Sequence, residues 1–193
     1  MSSIQRCEWS EKTERETRYH DEEWGRPLHD EARLFEMLLL EGQQAGLSWS
    51  LILAKRDHMR EVFDQFDPYI LSTYDTAKIE SFMQDPGVIR NRSKLKALGH
   101  NARAYLALKE KYGGLDSFLW QYVEGVPIQN QWTRAEEVPA STALSEQISK
   151  DLKVLGFRYV GPVIVYAYMQ SIGMVNDHTL GCAWHDICKN IYP

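Results

Sequence analysis

Cysteine is scarce: Cys7, Cys182 and Cys188 are the whole complement of a 193-residue chain. Three thiols cannot all pair, which argues against the disulfide framework of a small secreted domain. Long apolar runs are missing too. No stretch approaches the length of a membrane span, and the opening MSSIQRCEWSEKTER lacks the apolar segment of a signal peptide. A reducing cytoplasm, away from any membrane, is the expected setting. Basic excess is absent as well, since 22 Lys and Arg against 27 Asp and Glu leave a formal charge of −5. That total excludes a general polycationic coat but not a local basic patch. With no internal repeat, low-complexity tract or strong domain boundary, residues 1–193 read as one domain around one core.

What is present is helical periodicity, and the predicted fold class is all-α. Leu34 and Leu38 recur at helical spacing behind a capping Asp30. SWSLILAKRDHMREVFDQF (48–66) sets Leu51, Ile52, Met59, Val62 and Phe63 on an apolar stripe. Asp67-Pro68 opens a short helix, and Asp75 caps TAKIESFMQ. Residues 91–114 form a long amphipathic helix ended by paired glycines, and Leu144, Ile148, Leu152 and Leu155 make a further stripe. GPVIVYAYMQSIG (161–173) is apolar on most sides and reads as a central buried helix. Its β-branched residues make a strand the competing reading, but its length and the lack of a partner strand favour helix.

The few cysteines gather near histidines at the two chain ends. His178-x3-Cys182 can put two ligands on one face of a helical turn, and Cys7 with His20 would complete a Cys2His2 set suited to tetrahedral zinc. Spacing alone leaves two rivals: a local site of His178, Cys182, His185 and Cys188, or ordinary buried thiols and imidazoles.

LFEMLLLEGQQAGLSW (34–49) places a carboxylate, Glu41, on the same inward face as Leu34 and Leu38. Such a group must be hydrogen-bonded, paired, or held at a cavity wall. Gly42 and Gly46 are expected to break the helix and let backbone approach a ligand. Trp49, with Trp9, Tyr19 and Trp24, supplies more aromatic surface than a small core requires, though aromatic stripes are usually core. Further on, GFRYVGPVIVYA (156–167) runs helix, glycine turn, helix, with Pro162 at the first helical position. The free N–H groups of that helix start suit a phosphate. Lys150, Lys153 and Arg158, or the run Arg90, Arg92, Lys94 and Lys96, could add charge; a solvated helical face is the plain alternative.

Taken in order, RCEW, YHDEEWG, LFEMLLLEGQQAGLSW, FDP, IRNRSKLKALGHNARAY, GFRYVGPVIVYAYMQSIG and VNDHTLGC resemble the DNA-3-methyladenine glycosylase I family of the helix-hairpin-helix superfamily. The resemblance spans nearly the whole chain. It implies a monomeric all-helical enzyme acting on double-stranded DNA that carries alkylated adenine. The damaged nucleotide would be flipped into an aromatic pocket and its N-glycosidic bond hydrolysed. It also implies a structural zinc joining the ends through Cys7, His20, His178 and Cys182. By motif, Glu41 would bind the adenine edge, Trp49 and Trp9 stack on the base, and Tyr19 line the pocket, with Glu41 and Tyr19 as the catalytic candidates. Leu47, beside Gly46, would plug the gap left in the duplex. The hairpin near 150–173, with Gly156, Arg158 and Gly161, would grip the phosphate backbone. In two places the chain departs from pattern. Glu16 stands where the family has a second pocket tyrosine, and Asn176 registers with an aspartate that the wider superfamily often carries in a V-D-x-H segment.

Overall fold

The computed structural model describes residues 4–191. Local chemistry sets most helix starts. Helix α1 (Glu14–Glu22) begins at Thr13, whose hydroxyl accepts from Glu16 N. Asp30 accepts from Arg33 N at the head of α2 (Glu31–Gln44), and Ser48 accepts from Leu51 N at α3 (Trp49–Val62). Asp67, before Pro68, caps α4 (Pro68–Leu71), Asp75 caps α5 (Thr76–Phe82), and Asn91 caps α6 (Arg92–Tyr112). That long helix stops at Gly113, whose φ of 87° only glycine adopts without strain. The next helix, α7 (Leu115–Trp120), is capped from a distance by Glu31, which accepts from Leu115 N and Asp116 N. The last helices are α8 (Ala143–Val154), α9 (Pro162–Ser171) and α10 (Ala183–Lys189).

The 161–173 stretch is helix, as its length implied. Val165, Tyr168, Met169 and Ile172 of this segment are fully buried, and Tyr168 Oη donates to Leu34 O at 2.8 Å, tying α9 to α2. Helices α8 and α2 pack on α9, and α6 lies against α2. Of the stripe in α3 and just beyond it, Ile52, Met59 and Phe63 are buried, whereas Leu51 is exposed. Periodicity found the helix but set the face slightly too wide.

Two short strands interrupt an otherwise helical chain. Ile128–Gln129 (β1) pairs in parallel with Val175–Asn176 (β2). Gly173, at φ 69°, turns the chain out of α9 and into β2. The pairing pins the long connection after α7 beside the segment that carries His178.

Candidate active site and metal cluster

Trp9, Tyr19, Glu41 and Trp49, separated by up to forty positions, line one cleft of about 760 Å³. Each is aimed there by a local device. A short 3-10 helix at Glu8–Glu11 presents Trp9, and the capped first turn of α1 sets Tyr19. Trp49 is the first residue of α3, directly after its Ser48 cap. Tyr19 and Trp49 lie with ring centroids 5.2 Å apart, and Trp9 packs edge-on against Trp24 at 5.0 Å. The indole N–H of Trp49 is buried with no acceptor among the described residues, a donor left over for a ligand.

Glu41 is 4% exposed, on the inward face its spacing implied. Burial pushes its carboxyl up to about 8, with the nearby Ser171 hydroxyl pulling the other way. The group is therefore mostly uncharged in the empty cleft at neutral pH. Tyr19 is held as the phenol, first by burial and then by the Glu41 carboxyl beside it, so it is a donor and not a base. Glu16 does not enter this site. Its carboxylate accepts from the Thr13 hydroxyl at 2.9 Å while Glu16 N donates back to that oxygen, so it is spent on the N-terminus of α1.

Gly42 does not break α2. It lies inside the helix, where a Cβ would come within 3.3 Å of Tyr159 Cβ, so its role is to let the hairpin between α8 and α9 pack close. Gly46 does break it, at φ 74° with open space around it, and the turn presents Leu47 half-buried beside the cleft. Gln44 closes that turn by donating to Leu47 O at 2.9 Å.

The hairpin is tight. Gly156 has φ 94°, and Asn101 of α6 clamps the turn with its amide, donating to Arg158 O at 3.1 Å and accepting from Arg158 N at 2.7 Å. The Arg158 side chain is exposed, as are Lys150 and Lys153, and Gly161 caps α9 with no neighbour that a Cβ would touch. The second basic run disperses. Lys94 is buried, its Nζ donating to Gln43 O and Ala45 O at the end of α2, and Arg92 pairs with Glu80 at 2.7 Å. Arg90 and Lys96 of that run are exposed.

Cys7, His20, His178 and Cys182 meet, all buried, with their ligand atoms within 4.8 Å of one another, and could hold a metal ion. The rival set does not form: His185 Nε2 instead meets Asn130 O at 2.9 Å, and Cys188 lies outside the cluster. One expectation needs correction. His178 and Cys182 do not share a helical turn, because the chain there is extended and then turns, and α10 starts only after Cys182. Two imidazole nitrogens face inward because their other nitrogens are engaged: His20 Nδ1 with Asp21 at 2.8 Å, and His178 Nε2 with Trp24 O at 3.3 Å. Arg6 in turn grips Asp21 at 2.8–3.0 Å. Asn176 stays out of the cleft, bonded to Gln129 and to His185 O.

Sequence spacing missed several cleft residues: Gln44, Tyr166, Gln170, Asp177 and the 133–140 loop. Tyr166 and Gln170 do share a face of α9, at i and i+4.

A model of the methyladenine glycosylase family matches residues 9–185. The chain is 44% identical over 179 residues to DNA-3-methyladenine glycosylase 1 of Escherichia coli strain K12, covering 93% of this chain and 96% of that one. The crystal structure of a 3-methyladenine DNA glycosylase I superposes with a TM-score of 0.90 at 43% identity, over 93% of this chain and 98% of its own. A single-residue variant of 3-methyladenine DNA glycosylase I solved in complex with 3-methyladenine gives 0.89 at 35% identity, over 92% and 96%. A match across this much of the chain, in sequence and in fold, places it: the chain belongs to the methyladenine glycosylase family.

Proposed function

We infer that this protein removes 3-methyladenine from alkylated duplex DNA as a monomer, hydrolysing the N-glycosidic bond to leave an abasic site. The observation that carries it is Glu41, a buried carboxyl on the wall of an aromatic cleft beside a clamped hairpin. The flipped base enters between Trp9 and Trp49, with Tyr19 closing one side. N3-methyladenine is cationic within the nucleoside. Its arrival beside Glu41 favours the carboxylate, which accepts from the exocyclic amine of the base. A 7-methylguanine would present a carbonyl oxygen at that edge and be repelled. Because the cationic base is a good leaving group, selective extrusion and electrostatics carry most of the rate, and water is the nucleophile.

Outside the cleft, Gly156, Arg158 and Gly161 hold the phosphate backbone through the hairpin, while Gly46 and Leu47 fill the vacated stack. Both features sit at the two ends of one contact, since Tyr159 of the hairpin packs on Gly42, one helical turn before Gly46.

The four-ligand cluster fits one zinc. Tetrahedral bonds of about 2.3 Å to sulfur and about 2.0 Å to nitrogen give sulfur–nitrogen edges of about 3.5 Å. Observed separations are 3.5 Å for Cys182–His20, 3.5 Å for Cys182–His178 and 3.7 Å for Cys7–His178. With all four positions filled by protein, zinc supplies cross-linking of the chain ends and takes no part in the chemistry.

Chromatography of the material released from methylated DNA tests the activity. Free 3-methyladenine is the expected product, with 7-methylguanine at or near background. Binding of alkylated DNA without release of any base would leave only a damage-binding protein.

A further inference from the structure

Helix α6 touches both features assigned to DNA, the plug turn at Gly46–Leu47 and the hairpin. In its first turn Lys94 is 5% exposed, and its Nζ donates to Gln43 O at 2.7 Å and to Ala45 O at 2.6 Å. Those carbonyls belong to the last turn of α2 and to the residue just before Gly46. The Gln43 amide returns the contact, donating to Lys94 O at 3.2 Å. Two turns further along α6, Asn101 holds both the N–H and the carbonyl of Arg158 in the hairpin. Lys94 and Asn101 are seven residues apart, so they share a face and stand about 10 Å apart along the helix axis.

The junction with α2 is an unfavourable place to bury a lysine. No carboxylate among the described residues pairs with its head group, which burial alone perturbs. Beside it, Gln43 Oε1 is buried with no donor among the described residues. Both groups lose water without full compensation. A helix end that needed only a cap could take one from an exposed side chain or from its own turn. This turn already has such bonds, from Leu47 N to Gln44 O at 2.7 Å and from Gln44 Nε2 to Leu47 O at 2.9 Å. What Lys94 adds is attachment of the turn to a second, long helix. On its other side the turn faces open space, since a Cβ on Gly46 would meet nothing within 4 Å. A side chain that enters a base stack loses less freedom there if its turn is fixed beforehand.

We propose that α6 registers the plug against the backbone grip, with Lys94 the positioning residue for Leu47 and Asn101 that for the hairpin. This rests on the reading that Leu47 fills the vacated stack while the hairpin holds phosphate. Lys94 itself touches no nucleotide and acts through Leu47. The test is a double-variant cycle on Lys94 and Leu47. Release of 3-methyladenine from methylated duplex gives kcat/KM. Insertion is followed by the fluorescence of 2-aminopurine placed beside a tetrahydrofuran abasic-site analogue in a duplex. Leu47→Ala and Lys94→Met are each expected to lower kcat/KM about tenfold to a hundredfold and to remove most of the protein-induced fluorescence change. In the Leu47→Ala background, Lys94→Met is expected to add no further loss, because the side chain it positions is gone. Affinity for free 3-methyladenine and zinc content should hold in all three variants. A Lys94 that merely stabilised the fold would leave the fluorescence change intact and would add its own loss to that of Leu47→Ala. Either result overturns the proposal. Should Lys94→Met fail to fold, Lys94→Gln keeps an amide donor there and is read by the same cycle. Its smaller loss should likewise vanish beside Leu47→Ala, and a loss that persists there overturns the proposal. Parent-level release and fluorescence from Leu47→Ala alone would instead overturn the plug reading beneath it.

Discussion

Glu41 shows how a single carboxyl couples stability to function. Its folded value of about 8 lies well above the ordinary 4.5, so the folded protein keeps this proton where the unfolded chain has lost it. Stability from this group is therefore full below about 4.5 and declines as pH rises to about 8, at a slope approaching about 1.4 kcal/mol per pH unit. In the ligand-free protein, Glu41→Gln is expected to gain on the parent between pH 5 and pH 8 in denaturant melts, while losing affinity for free 3-methyladenine in calorimetry. A variant whose stability tracks the parent at every pH would show that Glu41 is not buried as described. At this scale the sequence was informative where one residue broke a periodic pattern, as Glu41 does among leucines. It was silent where partners come from distant segments. Nothing in the spacing of Asn130, Trp132, Tyr166 and Gln170 announces that they converge on Asp177. Glu16 was legible as a departure, but its consequence was not: the cap it makes with Thr13 depends on its rotamer.

Helices are where prediction and structure agree best, because capping residues and apolar stripes act over a few positions. Asp30, Asp75 and Asn91 each cap the helix they precede. The β1–β2 pair escaped notice because two residues carry no period, and their partners are 47 positions apart. Basic side chains on these elements divide into two kinds that a sequence cannot separate. Lys94 finishes α2 by donating to two carbonyl oxygens at its end, whereas Arg158 projects from the clamped hairpin. Replacing Lys94 with Ala is expected to cost about 1–3 kcal/mol of stability through the carbonyls left without a donor, with the salt dependence of DNA binding unchanged. Arg158→Ala should reverse that pattern, leaving the melt in place and lowering the slope of log affinity against log salt by about 1. Asn101→Ala removes the clamp itself, so duplex affinity should fall while zinc content and affinity for the free base hold. If Arg158→Ala left the salt slope intact, the hairpin would lose its assigned contact with the backbone.

On the scale of the molecule, the acidic total and the nucleic-acid substrate are reconciled by segregation of charge. Several carboxylates, Asp30, Asp75 and Glu36 among them, are taken up in capping and pairing, while Arg158, Lys150 and Lys153 stay exposed on and beside one hairpin. The metal cluster is the other whole-molecule device, and it abuts the cleft. His20 lies 5.5 Å from the Trp9 ring and His178 4.6 Å from that of Trp24, so the ion and the base would share a wall. Metal analysis is expected to find one zinc in the parent and in Cys188→Ser, and none in Cys7→Ser, which should also melt lower. Zinc lost from Cys188→Ser but kept in Cys7→Ser would refute the ligand set. The cluster also has a bearing on biosynthesis. Its ligands enter the chain as one pair near each end, and Cys7 and Cys182 enclose almost everything between. A nascent chain that has not yet reached His178 can offer an ion only Cys7 and His20, too few for a closed site. Ion capture would thus come late, closing a very long loop, and would require that the intervening helices had already brought the four ligands together. Tight zinc retention would then mark a chain translated through Cys182 and folded, and a copy terminated before His178 would be left unlatched.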